Sequence, residues 1–126
     1  MNKPALLLIN LGTPNSPSYF NVFKYLHEFL MDARVIDIPA FFRFFLVTLI
    51  ICPFRSFVSS KTYKKLWDLS GGESPLLKNT KELAIKLNQA QNQYNVFFAM
   101  RYQNPSIKFI LNEIKKTNPS EIIIFP

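Results

Sequence analysis

In 126 residues the chain has one cysteine, one histidine, one tryptophan and three glycines. A single Cys52 cannot form an internal disulfide or a cysteine-rich metal site. It fits a reducing compartment, and a cytoplasmic location is expected. His27 has no second histidine to share a metal or relay a proton, and is expected on a partly exposed helix flank. The glycines are too few for a dinucleotide fingerprint: Leu11-Gly12-Thr13-Pro14 lacks the further glycines that motif requires. Gly71-Gly72-Glu73-Ser74 is not followed by the Gly-Lys-Ser/Thr of a phosphate loop. Acidic residues are also scarce, eight against fifteen Lys and Arg, and they show no two-carboxylate spacing. No nucleophile–base pair is legible. There is no internal repeat, and the first apolar run, Ala5–Leu11, is too short for a signal peptide or a membrane span.

Apolar residues are abundant. They make up 48% of the chain and include 13 phenylalanines, enough to offset chain entropy in one ordered domain. The net charge of +7 favours anionic partners without choosing among them. Lysines are spread along the helices rather than clustered, so nucleic acid is not expected as a partner.

Ala5–Leu11 carries one polar side chain, Asn10, and does not alternate. A strand with one wet face would alternate, so this run predicts a central strand of a parallel sheet covered on both faces. Gly12-Thr13-Pro14 turns the chain at the strand's C-terminal end, where ligands bind in open α/β sheets. Ser18 is a candidate N-cap for a helix through Tyr19, Val22, Phe23, Leu26 and Leu30, widened by Phe20 and Phe29 and ending near Asp32. Val35–Pro39 reads as extended.

Phe41–Phe54 is apolar almost throughout. As a helix it would measure about 20 Å, short of a bilayer's hydrocarbon core. It is expected to be buried or to lie on a membrane surface or a flat apolar ligand, with Arg43 and Arg55 meeting headgroups or carboxylates. A polar helix follows over Ser59–Leu69 with Tyr63, Leu66 and Trp67 on one side. Gly71 and Gly72 break it, providing positive φ and room for close approach. The rest predicts a helix through Leu76, Leu77, Leu83, Ala84 and Leu87, a strand Asn95–Met100, a helix with Ile107, Ile110, Leu111 and Ile114 inward, and a third buried strand Glu121–Phe125. The order predicts an α/β fold, a small parallel sheet flanked by helices in the Rossmann or flavodoxin manner.

Leu11 and Arg101-Tyr102 fall at the C-terminal ends of the first two strands, and Trp67 and Ser74 flank the glycine break. Apolar and aromatic surface with a few donors and a fixed cation suits a flat apolar ligand bearing carboxylates. A nucleotide- or flavin-binding module, or a basic membrane-surface module, would also account for parts of this pattern.

Seven blocks in the same order resemble the N-terminal part of the ferrochelatase family. They are Leu7-Leu-Ile-Asn-Leu-Gly-Thr-Pro14, Val22-Phe-x-Tyr-Leu26, Glu28-Phe-Leu-x-Asp32, Arg34-Val-Ile-Asp-Ile-Pro39, Trp67 with Gly71-Gly-x-Ser-Pro-Leu76, Ala99-Met-Arg-Tyr102 and Pro105-Ser-Ile107. The resemblance implies the first of two Rossmann-like halves, with the chain stopping before the second. It implies a lyase that inserts ferrous iron into a distorted porphyrin in heme synthesis, porphyrin and iron both being substrates and no cofactor being held by this chain. The family's metal-handling histidine and glutamate belong to the second half, so the chain alone is expected to be inactive, with no metal ligand of its own. By the same resemblance Arg101 and Tyr102 would act on the face opposite that histidine, and Leu11 would lie with them. Trp67, Ser74 and Arg55 would contact porphyrin, the last two near propionates. Phe41–Phe54 would form the mouth and touch the membrane peripherally.

Overall fold

The computed structural model describes residues 2–126. The chain divides into two compact units, one of residues up to Thr13 with Leu76–Pro126, the other of Pro14–Pro75.

The first unit is a three-stranded parallel sheet in the order β2-β1-β3, with β1 at Ala5–Gly12, β2 at Asn95–Tyr102 and β3 at Ile122–Phe125. β1 is central, as its unbroken apolar run predicts. Odd-numbered residues of the two longer strands face one way: Ala5, Leu7 and Ala99 are buried with Ile114 of α5 (Ile107–Lys116), and Ile9, Phe97, Ile110 and Leu111 pack around them. Even-numbered Leu8 and Val96 face the other way, against Ala84 and Leu87 of α4 (Pro75–Ala90). Period-two alternation therefore feeds two cores at once. α5 starts at Ser106, whose hydroxyl accepts from the Phe109 N–H. The outer edge of β2 is covered locally: the Asn88 side chain donates to the Val96 carbonyl and accepts from its N–H, both at 2.9 Å, replacing a missing strand.

β3 is not the buried strand that its apolar sequence predicts. It pairs with β1 on one side only, and Ile122, Ile124 and Phe125 are exposed. Leu83 also faces outward, although its spacing suggests otherwise; Thr80 is buried on α4 instead.

The second unit is helical. α1 (Tyr19–Met31) begins at Ser18, whose hydroxyl accepts from the Asn21 N–H, and ends at Asp32. Phe20 of its predicted stripe is exposed. Val35–Pro39 is not an extended strand: the Val35 and Ile36 N–H groups both donate to the Asp32 carbonyl and wind the chain into turns. The apolar stretch and the polar helix after it are one helix, Ala40–Leu69, 30 residues long. Its parts are α2 (Ala40–Phe45), a π-helical segment Leu46–Ile51, and α3 (Cys52–Leu69). At about 1.5 Å per residue it spans roughly 45 Å, so the length argument against a bilayer span does not hold. Pro53 lacks an N–H and crowds the carbonyl one turn back. The wide turn immediately before it lets the helix continue through the proline.

α1 packs on this helix in antiparallel fashion. The Tyr19 hydroxyl donates to the Pro53 carbonyl at 3.0 Å, and His27 Nε2 meets Thr48 Oγ1 at 3.0 Å. Val22, Tyr25, Val47, Cys52 and Trp67 are buried. The other side is bare, with Phe41, Phe42, Leu49, Ile50, Phe54, Phe57 and Val58 exposed.

Candidate functional site

The C-terminal ends of β1 and β2 are held together by backbone. Gly12 pairs with Tyr102, and Asn10 with Met100. A Cβ on Gly12 would stand 2.2 Å from the Tyr102 carbonyl oxygen, and Gly12 has φ +122°. Glycine is required there both by conformation and by close approach.

Between those two rungs lie Leu11 and Arg101, on the sheet face that carries α5. Both are exposed; Leu11, at 48%, is the one open residue of the β1 strand. The Arg101 guanidinium sits 5.0 Å from the ring of buried Tyr102. The loop after β2 turns back at once: Gln103 has φ +63°, the Asn104–Pro105 bond is cis, and the Met100 N–H donates to the Pro105 carbonyl at 2.7 Å. On the opposite face the Asn10 amide donates to Thr80 Oγ1 at 3.1 Å, joining β1 to α4.

Trp67 and Ser74 belong to the helical unit, and both are buried. The Trp67 ring meets Tyr63 edge to face at 5.9 Å, and Tyr63 meets Tyr25 in the same way at 6.3 Å. Burial raises the pKa of the Tyr63 hydroxyl. The Gly72 N–H donates to the Trp67 carbonyl at 2.8 Å, folding the glycine loop over the end of α3. Gly71 and Gly72 have φ +77° and +92°, yet open space surrounds the Cβ position of each. The close approach expected there occurs at Gly12 instead. So Leu11, Arg101 and Tyr102 form one group, and Trp67 stands with the loop leading to Ser74 in another.

Arg55 is exposed on α3. Arg43, paired with it in the sequence reading, is engaged within the chain. Its Nη1 donates to the Ile38 carbonyl at 2.8 Å and the Ile36 carbonyl at 3.4 Å, which ties down the turn before α2. His27 is part-buried, stacked on Phe23 at 6.1 Å and edge-on to Phe44 at 6.3 Å. Among the described residues no three His, Cys, Asp or Glu side chains are grouped to hold a metal ion. Burial pushes the Cys52 thiol up to about 11, which leaves it protonated and unreactive at neutral pH.

The sequence reading missed a groove of about 620 Å³ beside Arg101, lined by Ser106, Lys108, Leu111, Asn112 and Lys115. Its signal was the spacing of Lys108, Asn112 and Lys115 at i, i+4 and i+7, which marks one helix face.

A family model described as Ferrochelatase matches residues 3–126. The chain is 42% identical over 125 residues to a protein named Ferrochelatase from Francisella tularensis subsp. holarctica (strain FTNF002-00 / FTA), covering 99% of this chain and 38% of the relative. The protein of the same name from Francisella tularensis subsp. novicida (strain U112) matches at the same identity and coverage. The chain thus spans 38% of the length of these curated relatives. A match along nearly every residue, over a parallel sheet whose strand ends carry the resembling motifs, has one reading: the chain belongs to the ferrochelatase family.

Proposed function

We propose that this chain supplies the first, porphyrin-holding portion of an enzyme that inserts ferrous iron into a porphyrin. The observation that carries the reading is Leu11 beside Arg101, held by the Gly12–Tyr102 contact at the sheet's ligand-binding edge. Leu11 offers apolar surface to a flat macrocycle. Arg101 offers a permanent charge backed by an aromatic ring, suited to guiding metal or proton traffic on one face. Trp67 and Ser74, buried as Tyr102 is, act by shaping the wall and the glycine loop of the helical unit, and the exposed Arg55 meets a propionate. Tyr102, being buried, acts by positioning Arg101.

On this reading, the histidine and glutamate that the family resemblance assigns to metal handling lie in a second half that this chain does not supply. The chain alone therefore binds porphyrin without metallating it. Titrating it into protoporphyrin should shift the Soret band, and Trp67→Ala should weaken that shift. Adding ferrous iron should give no metallation above the uncatalysed rate. A flat Soret titration, or clear turnover, would overturn the reading. In the complete enzyme, Arg101→Ala should slow metallation more than it weakens porphyrin binding; equal losses would remove Arg101 from the chemistry.

The same protein rests peripherally on a membrane through Phe41–Phe54. α1 occupies one side of the long helix, which leaves the other free to lie in the interface. Its most apolar 18 residues have a mean hydropathy of 1.8. Porphyrins themselves partition into bilayers, so an apolar mouth would shorten their path through water. Vesicle flotation checks this, with recovery in the aqueous layer as the contrary result.

A further inference from the structure

On α3 the exposed face changes character along its length. Counting on from Phe54, Phe57 and Val58 lie three and four residues further, and Lys61, Lys64 and Lys65 seven, ten and eleven, all exposed. These six fall within about one third of the helix circumference. Buried Cys52, Ser56 and Trp67 lie on the opposite side. The row is apolar up to Val58 and basic from Lys61, with Asp68 one turn further on. Upstream, Phe41, Phe42, Leu49 and Ile50 extend the exposed apolar surface, so that from Phe41 to Val58 it measures about 27 Å. Where the two parts meet, the Lys61 ammonium stands 4.4 Å from the centre of the Phe57 ring.

The lysines alone would be an ordinary solvated face. What sets them apart is the apolar row that leads into them and the ring beneath Lys61. A second copy of the chain matches this face poorly. Two such helices side by side would strip the ammonium groups of water, against like charges if parallel and against apolar surface if antiparallel. A lipid surface matches both parts: the rings enter the acyl boundary, and the lysines on the adjoining turns reach back to the headgroups.

We propose that the face from Phe54 to Lys65 selects bilayers rich in anionic lipid, with its rings at the acyl boundary and Lys61, Lys64 and Lys65 among the headgroups. This rests on the peripheral membrane reading above and adds the class of lipid to it. Each lysine held at an anionic surface contributes about fivefold in binding, which a surface of no net charge withholds.

The test is flotation of the chain with vesicles of phosphatidylcholine alone and of phosphatidylcholine mixed with phosphatidylglycerol. Binding should be about tenfold or more tighter on the mixed vesicles, and added salt should shrink that advantage. Lys61→Gln, Lys64→Gln and Lys65→Gln together should bring binding down to the level of phosphatidylcholine alone. Phe54→Ser with Phe57→Ser should weaken it on both vesicles. Lys3→Gln, Lys81→Gln and Lys86→Gln remove the same charge from the sheet unit and should leave binding within about twofold. Thermal melts confirm that each variant is folded. Equal binding to both vesicles, or equal loss from the two triple variants, overturns the choice of lipid and leaves the membrane reading standing. Absence of flotation on either vesicle overturns both. Self-association in sedimentation that Phe54→Ser with Phe57→Ser abolishes would give the face to a second copy and overturn the proposal.

Discussion

In the sheet unit, neighbouring residues of β1 go to opposite cores: Leu7 lies against α5 and Leu8 against α4, and both are buried. In the helical unit, an equally apolar run leaves half its side chains in the open: Phe54 is 73% exposed and Phe41 68%. Both stretches look alike in composition. The difference is that a strand presents two faces to two helices, whereas the long helix has α1 on one side and a row of exposed side chains on the other. Apolar character is therefore used up by folding in the first unit and left over in the second. Leftover apolar surface on this scale is what the proposed membrane contact would use.

That contrast can be broken by mutation. Gly12→Ala should be the most damaging change, because it combines a steric collision with the Tyr102 backbone and a positive φ; roughly 3–5 kcal/mol of stability should be lost in a urea titration. Gly71→Ala, strained but surrounded by space, should cost only about 1 kcal/mol. Equal costs would mean that the close approach at Gly12 is not real.

Leu7→Ala should cost about 2–5 kcal/mol through the cavity left in a closed core. Phe54→Ala, a larger truncation, should change stability by less than about 0.5 kcal/mol. If Phe54→Ala were as costly, the helix surface would be a core and the membrane proposal would lose its support. Phe54→Ser with Phe57→Ser should instead reduce vesicle binding about tenfold or more, each ring being worth roughly 1.5–3 kcal/mol of apolar burial.

The smallest effect concerns Cys52. Its thiol titrates near 11 in the folded chain against 9.0 without burial. Between those values the unfolded chain gives up the proton first, so stability present below pH 9 is lost as pH rises towards 11. A Cys52→Ala variant should lack that part of the alkaline decline in a pH series of urea titrations, and the native thiol should resist disulfide reagents at pH 8.

Elements with a strong local pattern were legible in advance. β1 was readable because six of the seven residues Ala5–Leu11 are apolar, on both faces of the strand. The cap at Ser18 was readable because a hydroxyl one residue before an apolar stripe has a specific hydrogen-bonding task. The helix Ala40–Leu69 was misread as two pieces because its composition turns from apolar to polar just past Pro53, although the helix runs on through that proline. The wide turn that rescues it is a backbone rearrangement without a side-chain signature. β3 was read as buried because Ile-Ile-Ile-Phe carries no record of its place at the edge of the sheet. Arg43 was offered to outside anions because the two carbonyls that hold it lie five and seven residues back, in a turn that was read as extended.

For the site, composition and motif order already put Leu11, Arg101 and Tyr102 at strand ends and named the family that they resemble. Those are statements about single positions, and local residue types suffice for them. That Leu11 and Arg101 share a face, that Gly12 rather than Gly71 is pressed against a neighbour, and that three cations surround one groove depend on strand register and helix docking. Register is fixed by pairings between residues some ninety positions apart, which no local pattern encodes.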